Sequence, residues 1–137
     1  MRALILATLL GLAASLPTEP EAAAAPVGYN LTIPADGLPH PTNNGLNINL
    51  IDAPDFNIEW CQFQTRQPVT MVWQTTPSGV SNWRISQYAV GPPQPIDSVT
   101  CSGTCLQTYG DCYVNGQYVV SCCNGYCAAN KCRPWTI

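Results

Sequence analysis

The sequence predicts a small, all-β, disulfide-rich protein, with a short antiparallel β body followed by a compact cysteine-rich module. Three observations lead to this fold class. Apolar and polar residues alternate over several short runs between residues 28 and 101, turn-forming segments separate those runs, and most of the eight cysteines fall after residue 104. No part of the body has apolar residues at helical spacing, and prolines interrupt every candidate helix.

The first 26 residues have the composition of a secretory signal followed by a spacer. Arg2 supplies a positive charge, residues 3–16 are apolar, and small residues stand at the usual cleavage spacing. A bilayer-spanning helix needs about 20 apolar residues, so this run is too short and we expect no membrane span. We assign residues 1–15 to a signal peptide and residues 16–26 to a disordered spacer or propeptide, and we expect a secreted protein.

Five strands are predicted in the body, which we assign to residues 27–101. The run "LNINL" alternates strictly, "DFNIEW" and "VTMVW" place their large apolar residues on one face, and "NWRISQYAV" changes phase, which predicts a bulge. Turn residues separate these runs in "NNG", "DAPD", "TPSG" and "GPPQP". The predicted strands cover residues 46–50, 55–60, 69–73, 82–90 and 96–101.

Eight cysteines in an exported chain predict four disulfides. The chain has no C-x-x-C pair, and its one histidine, His40, lies in a proline-flanked loop, so we expect no zinc and no cofactor. A body of about 70 residues buries a thin core and needs a cross-link. We expect Cys61–Cys101, because closing a loop of about 40 residues restricts the unfolded chain by about 4 kcal/mol.

The six remaining cysteines follow the spacing C-x6-C-x9-C-C-x3-C-x4-C. Six cysteines allow fifteen pairings, and the spacing alone does not choose among them. The stretch "CLQTYGDCYVNGQYVVSCCNGYCAANKC" resembles the inhibitor cystine knot, or knottin, pattern, in which the third and fourth cysteines are adjacent. The connectivity of that family implies a module over residues 102–137 with the disulfides Cys105–Cys123, Cys112–Cys127 and Cys122–Cys132.

Two alternatives to this assignment remain open at the level of sequence. One places Cys101 in the knot and pairs Cys61 with Cys105, which stretches the first gap of the pattern to ten residues. The other is a resemblance to hevein-type chitin-binding modules, which also have adjacent cysteines. Only three residues separate Cys123 from Cys127, too few for the serine-and-aromatic binding platform of that family.

The candidate binding residues lie in the cysteine-rich module. Asn115-Gly116 within "YVNGQY" predicts a two-residue hairpin turn. Aromatic residues beside an arginine are typical of interface hot spots. The alternative is that some of these residues pack on the body or cover disulfides. Trp135, for example, would then dock on the body and connect it to the module. The set is Tyr113, Asn115, Gly116, Tyr118, Tyr126, Lys131, Arg133 and Trp135.

Other features narrow the classes of function. The formal charge of -3 and the few basic residues disfavour nucleic-acid binding. With one histidine and oxidised cysteines we expect no enzyme, and Asp52, Asp55 and Glu59 match no calcium-loop spacing. Asn30 begins a glycosylation acceptor sequence.

We expect a monomer that acts as a secreted binding protein of effector or toxin-like type on an extracellular or host protein. A signal, a short spacer and a compact cysteine-rich body also resemble the small secreted effectors of plant- or insect-associated fungi. One alternative is an inhibitor of a secreted protease or amylase, which would present residues 106–111 or 113–121. The other is a cell-wall carbohydrate-binding or structural coat protein.

Overall fold

The structure is a computed structural model that describes residues 2–7, 27–79 and 82–136 of the 137-residue chain. It is almost entirely β, with antiparallel sheets and four disulfides, which confirms the predicted fold class. The strands are β1 (Arg2–Ala7), β2 (Val27–Thr32), β3 (His40–Pro41), β4 (Ile48–Asp52), β5 (Cys61–Thr65), β6 (Thr70–Pro77), β7 (Trp83–Gln94), β8 (Ile96–Cys101), β9 (Tyr113–Val114), β10 (Gln117–Tyr118), β11 (Tyr126–Ala128), β12 (Lys131–Arg133) and β13 (Trp135–Thr136).

The larger sheet is built around β7, the longest strand. One edge of β7 pairs with β6 along eight residue positions, from Thr70–Gly91 to Pro77–Arg84. Its other edge pairs first with β13 and then with β4, which is followed by β1 and β2. The last strand of the cysteine-rich module therefore completes the sheet of the body.

The smaller sheet has the order β3-β8-β5. Cys61 and Cys101 lie directly opposite each other in β5 and β8 and form a disulfide. This is the cross-link predicted for the body. Because it closes a 40-residue separation, it holds together the two strands that bracket β6 and β7 in the chain.

The main core combines residues of both sheets. Ile5, Ile48 and Ile51 come from the larger sheet, and Ile96 and Val99 come from β8 of the smaller one; none is more than 1 % exposed. A second, smaller core consists of disulfide cysteines in the module. Covalent bridges thus replace apolar side chains where the chain is too short to bury many of them.

Three predictions about the body are wrong in detail. His40 does not lie in a loop but in β3, where it pairs with Val99 of β8. Residues 55–60 do not form a strand. They form a turn followed by a 3-10 helix over Ile58–Trp60. The side chain of Asn57 caps this helix by accepting a hydrogen bond from the Glu59 amide at 3.1 Å. The predicted bulge lies later than expected. The β6–β7 pairing is continuous through residues 84–91, whereas the register shift occurs against β4, between Ile48 and Leu50.

The amino-terminal segment has a position that the sequence did not suggest. Residues 2–7 form β1 between β2 and β4, with Ile5 fully buried, although they belong to the predicted signal peptide. Residues 8–26, which include the predicted cleavage site and spacer, lie outside the described residues. The signal assignment remains a prediction, and cleavage there would remove β1 from the sheet.

None of the helices in the described ranges has the length and apolar character needed to cross a membrane. Four disulfides are typical of proteins from oxidising compartments and are consistent with an extracellular protein. Asn30 lies exposed in β2, where its side chain is accessible.

Candidate functional site

Three disulfides form the centre of the module. They join Cys105 to Cys123, Cys112 to Cys127, and Cys122 to Cys132. These are the pairs that the family resemblance implied, and the alternative pairing of Cys61 with Cys105 does not occur. The sulfur atoms of Cys112, Cys122 and Cys132 lie within 4.8 Å of one another, but each belongs to a disulfide, so they are not a set of thiolate ligands.

Backbone hydrogen bonds tie the first loop of the module to these disulfides. Leu106 donates to Ser121 and accepts from Cys123, each at 2.9 Å, which makes a parallel bridge beside the adjacent cysteines. Tyr109 donates to the Cys132 carbonyl at 2.8 Å, and the Cys132 amide donates to Gly110 at 2.9 Å. The loop is therefore held at both ends by hydrogen bonds as well as by covalent bridges.

The hairpin β9–β10 projects from this scaffold. Asn115 and Gly116 have φ values of 52° and 77°, the pair of left-handed residues required by the predicted two-residue turn. Tyr113 and Tyr118 are direct cross-strand partners with ring centroids 5.3 Å apart. Tyr118 also donates from its hydroxyl to Ser121 at 3.0 Å. The sequence thus predicted the turn, and the structure adds that the two tyrosines lie side by side.

The hairpin displays apolar side chains to solvent. Tyr113 is 41 % exposed, Val114 49 %, Tyr118 52 % and Val119 56 %. The residues from Tyr113 to Ser121 include no charged side chain. Because interface cores are poor in charge and rich in tyrosine, this segment has the composition of a contact surface.

The remaining candidate residues do not gather at the hairpin. Lys131 forms an ion pair with Asp111, with 2.6 Å between Nζ and Oδ1, and Tyr126 is exposed on β11. Arg133 lies over the ring of Tyr109 at 5.7 Å. Trp135 docks on the body, as the alternative interpretation expected: it is opposite Arg84 in the sheet, and its ring meets that of Trp73 at 6.0 Å.

Asn124 joins the module to the body, a role that its sequence context did not reveal. This side chain is 9 % exposed. Its Oδ1 accepts from both the amide and the hydroxyl of Ser86 at 2.8 Å, and its Nδ2 donates to the carbonyls of Ala53 at 3.0 Å and Pro54 at 3.1 Å. One amide side chain therefore satisfies polar groups of two body segments that are far apart in sequence.

A cleft lies between the module and the body, beside Asn124. It is lined by Trp83, Arg84 and Ile85 of β7 and by Gln107, Thr108 and Tyr109 of the first module loop. Trp83 and Tyr109 meet edge to face, with ring centroids 6.1 Å apart. The sequence did not predict this cleft, because its local signal is weak: a Tyr-Gly pair between cysteines and a tryptophan at the start of a strand.

The acidic residues singled out in the sequence differ in their burial. Asp52 is buried in β4, its Oδ1 lacks a hydrogen-bond partner among the described residues, and Glu59 is exposed. Burial raises the pKa of Asp52 to about 6, while a hydrogen bond from the backbone of Leu4 opposes the shift. His40 bonds to Asp36 at 2.9 Å, which lowers the pKa of that carboxyl group. Asp36 and His40 are close in sequence, and their pair holds a local turn.

No family model, no curated protein and no solved structure matches this chain. Its function is therefore inferred from its own residues and their arrangement.

Proposed function

We propose that the protein is a secreted, disulfide-rich binding protein of effector or toxin-like type, with a module of the inhibitor-cystine-knot kind. It recognises an extracellular or host protein through the hairpin β9–β10. The observation that carries this proposal is the uncharged, exposed surface formed by Tyr113, Val114, Tyr118 and Val119 on a cross-linked scaffold.

Rigidity supports a role in recognition. The Val119 amide donates to Cys112 at 2.9 Å, so the base of the hairpin is bonded directly to a disulfide residue. A surface that is ordered before binding loses little conformational entropy in the complex, which favours affinity. Tyrosine adds a large contact area and a hydroxyl group, and it is enriched among hot-spot residues.

The absence of basic residues and the geometry of the tyrosine rings each disfavour one alternative form of binding. Neither residues 106–111 nor residues 113–121 contain Lys or Arg, which disfavours inhibition of a trypsin-like protease. The hairpin tyrosines meet at an interplanar angle of 62° and do not form one flat platform. A sugar ring stacks best on a flat aromatic face, so the carbohydrate-binding alternative is weaker for this surface.

Site-specific photo-crosslinking tests the proposal. A benzophenone amino acid at Tyr118 is compared with one at Val72, which is 54 % exposed on β6 of the body. We expect a host extracellular protein to be captured only from the hairpin position. The captured protein is then purified and its affinity measured for the unlabelled chain and for a Tyr113→Thr/Tyr118→Thr variant, with Val72→Thr as the matched control.

The expected result is a loss of affinity of at least about tenfold in the double variant and no loss in the control. Equal affinity of all three proteins would contradict the proposal. Depletion of the protein from solution by insoluble chitin or glucan, without capture from the hairpin, would replace it with the carbohydrate-binding alternative. If the protein inhibits a secreted protease or amylase, and the tyrosine substitutions leave that inhibition unchanged, the proposal would be replaced by the inhibitor alternative, acting through another loop.

A further inference from the structure

The cleft between the module and the body has the size and lining of a small-molecule site. Its volume is about 370 Å³, and small-molecule sites commonly enclose about 300–1,000 Å³. Its walls come from β7 and from the first loop of the module. Hydrogen bonds fix two of the lining residues in place. Asn124 accepts a hydrogen bond from Ser86 and donates one to the carbonyl of Ala53, and Gln107 donates one to the carbonyl of Asp55 at 2.8 Å.

Tyr109 has a backbone conformation that glycine adopts far more readily than a residue with a side chain. Its φ is +69°, a left-handed value that is uncommon for a large side chain, and its amide is bonded to Cys132. The side chain gains little burial in return, because it stays 52 % exposed. Backbone strain of this kind concentrates at binding sites. The strain here places an aromatic ring against Trp83 at the cleft.

The cleft lining includes one cationic group, Arg84, which has no carboxylate partner among the described residues. Arg84 donates from Nε and Nη2 to Thr75, at 2.8 and 2.7 Å, which uses two of its five N–H groups. The ion pairs among the described residues are His40–Asp36, Arg66–Asp97 and Lys131–Asp111, so Arg84 takes part in none of them. A guanidinium group in the cleft lining without an ion-pair partner favours an anionic ligand.

We propose that this cleft binds a small aromatic carboxylate. The ligand ring packs against Trp83 and Tyr109, and its carboxylate accepts hydrogen bonds from the free N–H groups of Arg84. Carboxylate and guanidinium are both planar, so two parallel hydrogen bonds are available to this pair. The site is separate from the hairpin surface and does not depend on the proposed protein partner.

Matched ligands test the charge requirement. The full-length chain is titrated with 2-naphthoate and with neutral 2-naphthamide by isothermal titration calorimetry and ligand-observed NMR. Because a hydrogen bond to a charged group stabilises more than a neutral one, we expect naphthoate to bind saturably and naphthamide to bind at least about tenfold more weakly. Equal affinities, or no saturable binding of naphthoate up to its solubility limit, would overturn the proposal.

Variants locate the site. Tyr109→Gly removes the ring and relieves the positive φ, so we expect naphthoate affinity to fall at least about tenfold while the melting temperature stays the same or rises. Arg84→Gln should remove the preference for the acid over the amide. Val72→Thr on β6, which is exposed and is not among the cleft-lining residues, is the control and should bind as the unaltered chain does. Unchanged binding by Tyr109→Gly would refute this location even if Arg84→Gln failed to fold.

Discussion

Gly125 offers a sharp test of how the module packs, because it leaves no room for a side chain. Its φ is +131°, and a Cβ atom there would lie 2.0 Å from the carbonyl oxygen of Arg133, 2.9 Å from that carbonyl carbon and 3.2 Å from Cα of Pro134. All three atoms belong to the backbone, so no side-chain rotation relieves the contact. In Gly125→Ala the segment that carries Arg133 must move.

Gly116 is the matched control for this change. Its φ is +77°, but nothing lies within 4 Å of the corresponding Cβ position. Alanine in a left-handed conformation costs about 1–2 kcal/mol, which is all that we expect for Gly116→Ala. An unrelieved packing contact adds about 1–3 kcal/mol, so Gly125→Ala should lower the free energy of unfolding by about 2–5 kcal/mol.

The comparison is made by thermal unfolding of both variants with their disulfides intact, followed by circular dichroism. The expected difference of about 1–3 kcal/mol corresponds to a melting temperature about 4–12 °C lower for Gly125→Ala than for Gly116→Ala. NMR signals of Tyr109 should shift only in Gly125→Ala, because Arg133 lies over that ring. Equal melting temperatures would refute the packing described for this segment.

Three further predictions concern the body and its junction with the module. Asn124→Ala should lower the free energy of unfolding by about 2–4 kcal/mol, and by more than Ser86→Ala does, because it leaves several buried polar groups without partners. Urea unfolding of the two variants measures both losses. Equal losses would count against the proposed role of the Asn124 amide. In the full chain, folding raises the pKa of Asp52 from 3.8 to about 6. Between these two pH values the folded state retains a proton that the unfolded state releases, so the free energy of unfolding should fall as the pH rises from about 4 to about 6. Asp52→Asn should remove this decline in urea unfolding followed from pH 4 to 7, and a decline of the same size in the variant would exclude Asp52 as its source. Finally, if residues 1–15 are a signal peptide, the intact mass of the exported protein will lack them. NMR titration of Asp52 in that shortened form should then give a pKa closer to 3.8, because β1 no longer pairs with β4 beside it. An intact mass that includes β1 would disprove the signal assignment.

Features that depend on neighbours in the sequence were predictable. Alternation with period two identified β4, β6 and β7, since side chains on a strand point to opposite faces in turn, but it did not identify β2, β3 or β5. Asn115-Gly116 predicted its hairpin turn because both residues tolerate a positive φ. The adjacent cysteines Cys122 and Cys123 pair with Cys132 and Cys105, which is the arrangement that the resemblance implied.

Local patterns failed where a single hydrogen bond or a distant partner decides the outcome. Residues 55–60 alternate like a strand, yet Ile58–Trp60 form a 3-10 helix whose first turn is capped by the Asn57 side chain. In the same way, the pattern of residues 82–90 predicted a bulge there, whereas the bulge arises from pairing with β4.

By itself, the sequence determined the all-β class, because alternation is encoded within short segments. The spacing of the six module cysteines left their pairing open, and the pairing was implied only by the resemblance to inhibitor cystine knots. Only the tertiary structure decided that Asn124 joins the two units and that Trp83 and Tyr109 face one cleft. These contacts unite residues tens of positions apart, such as Ser86 and Asn124, whose sequence separation is 38. Their geometry follows from how the sheet and the disulfide-linked module pack together, and no periodicity of the chain records that packing.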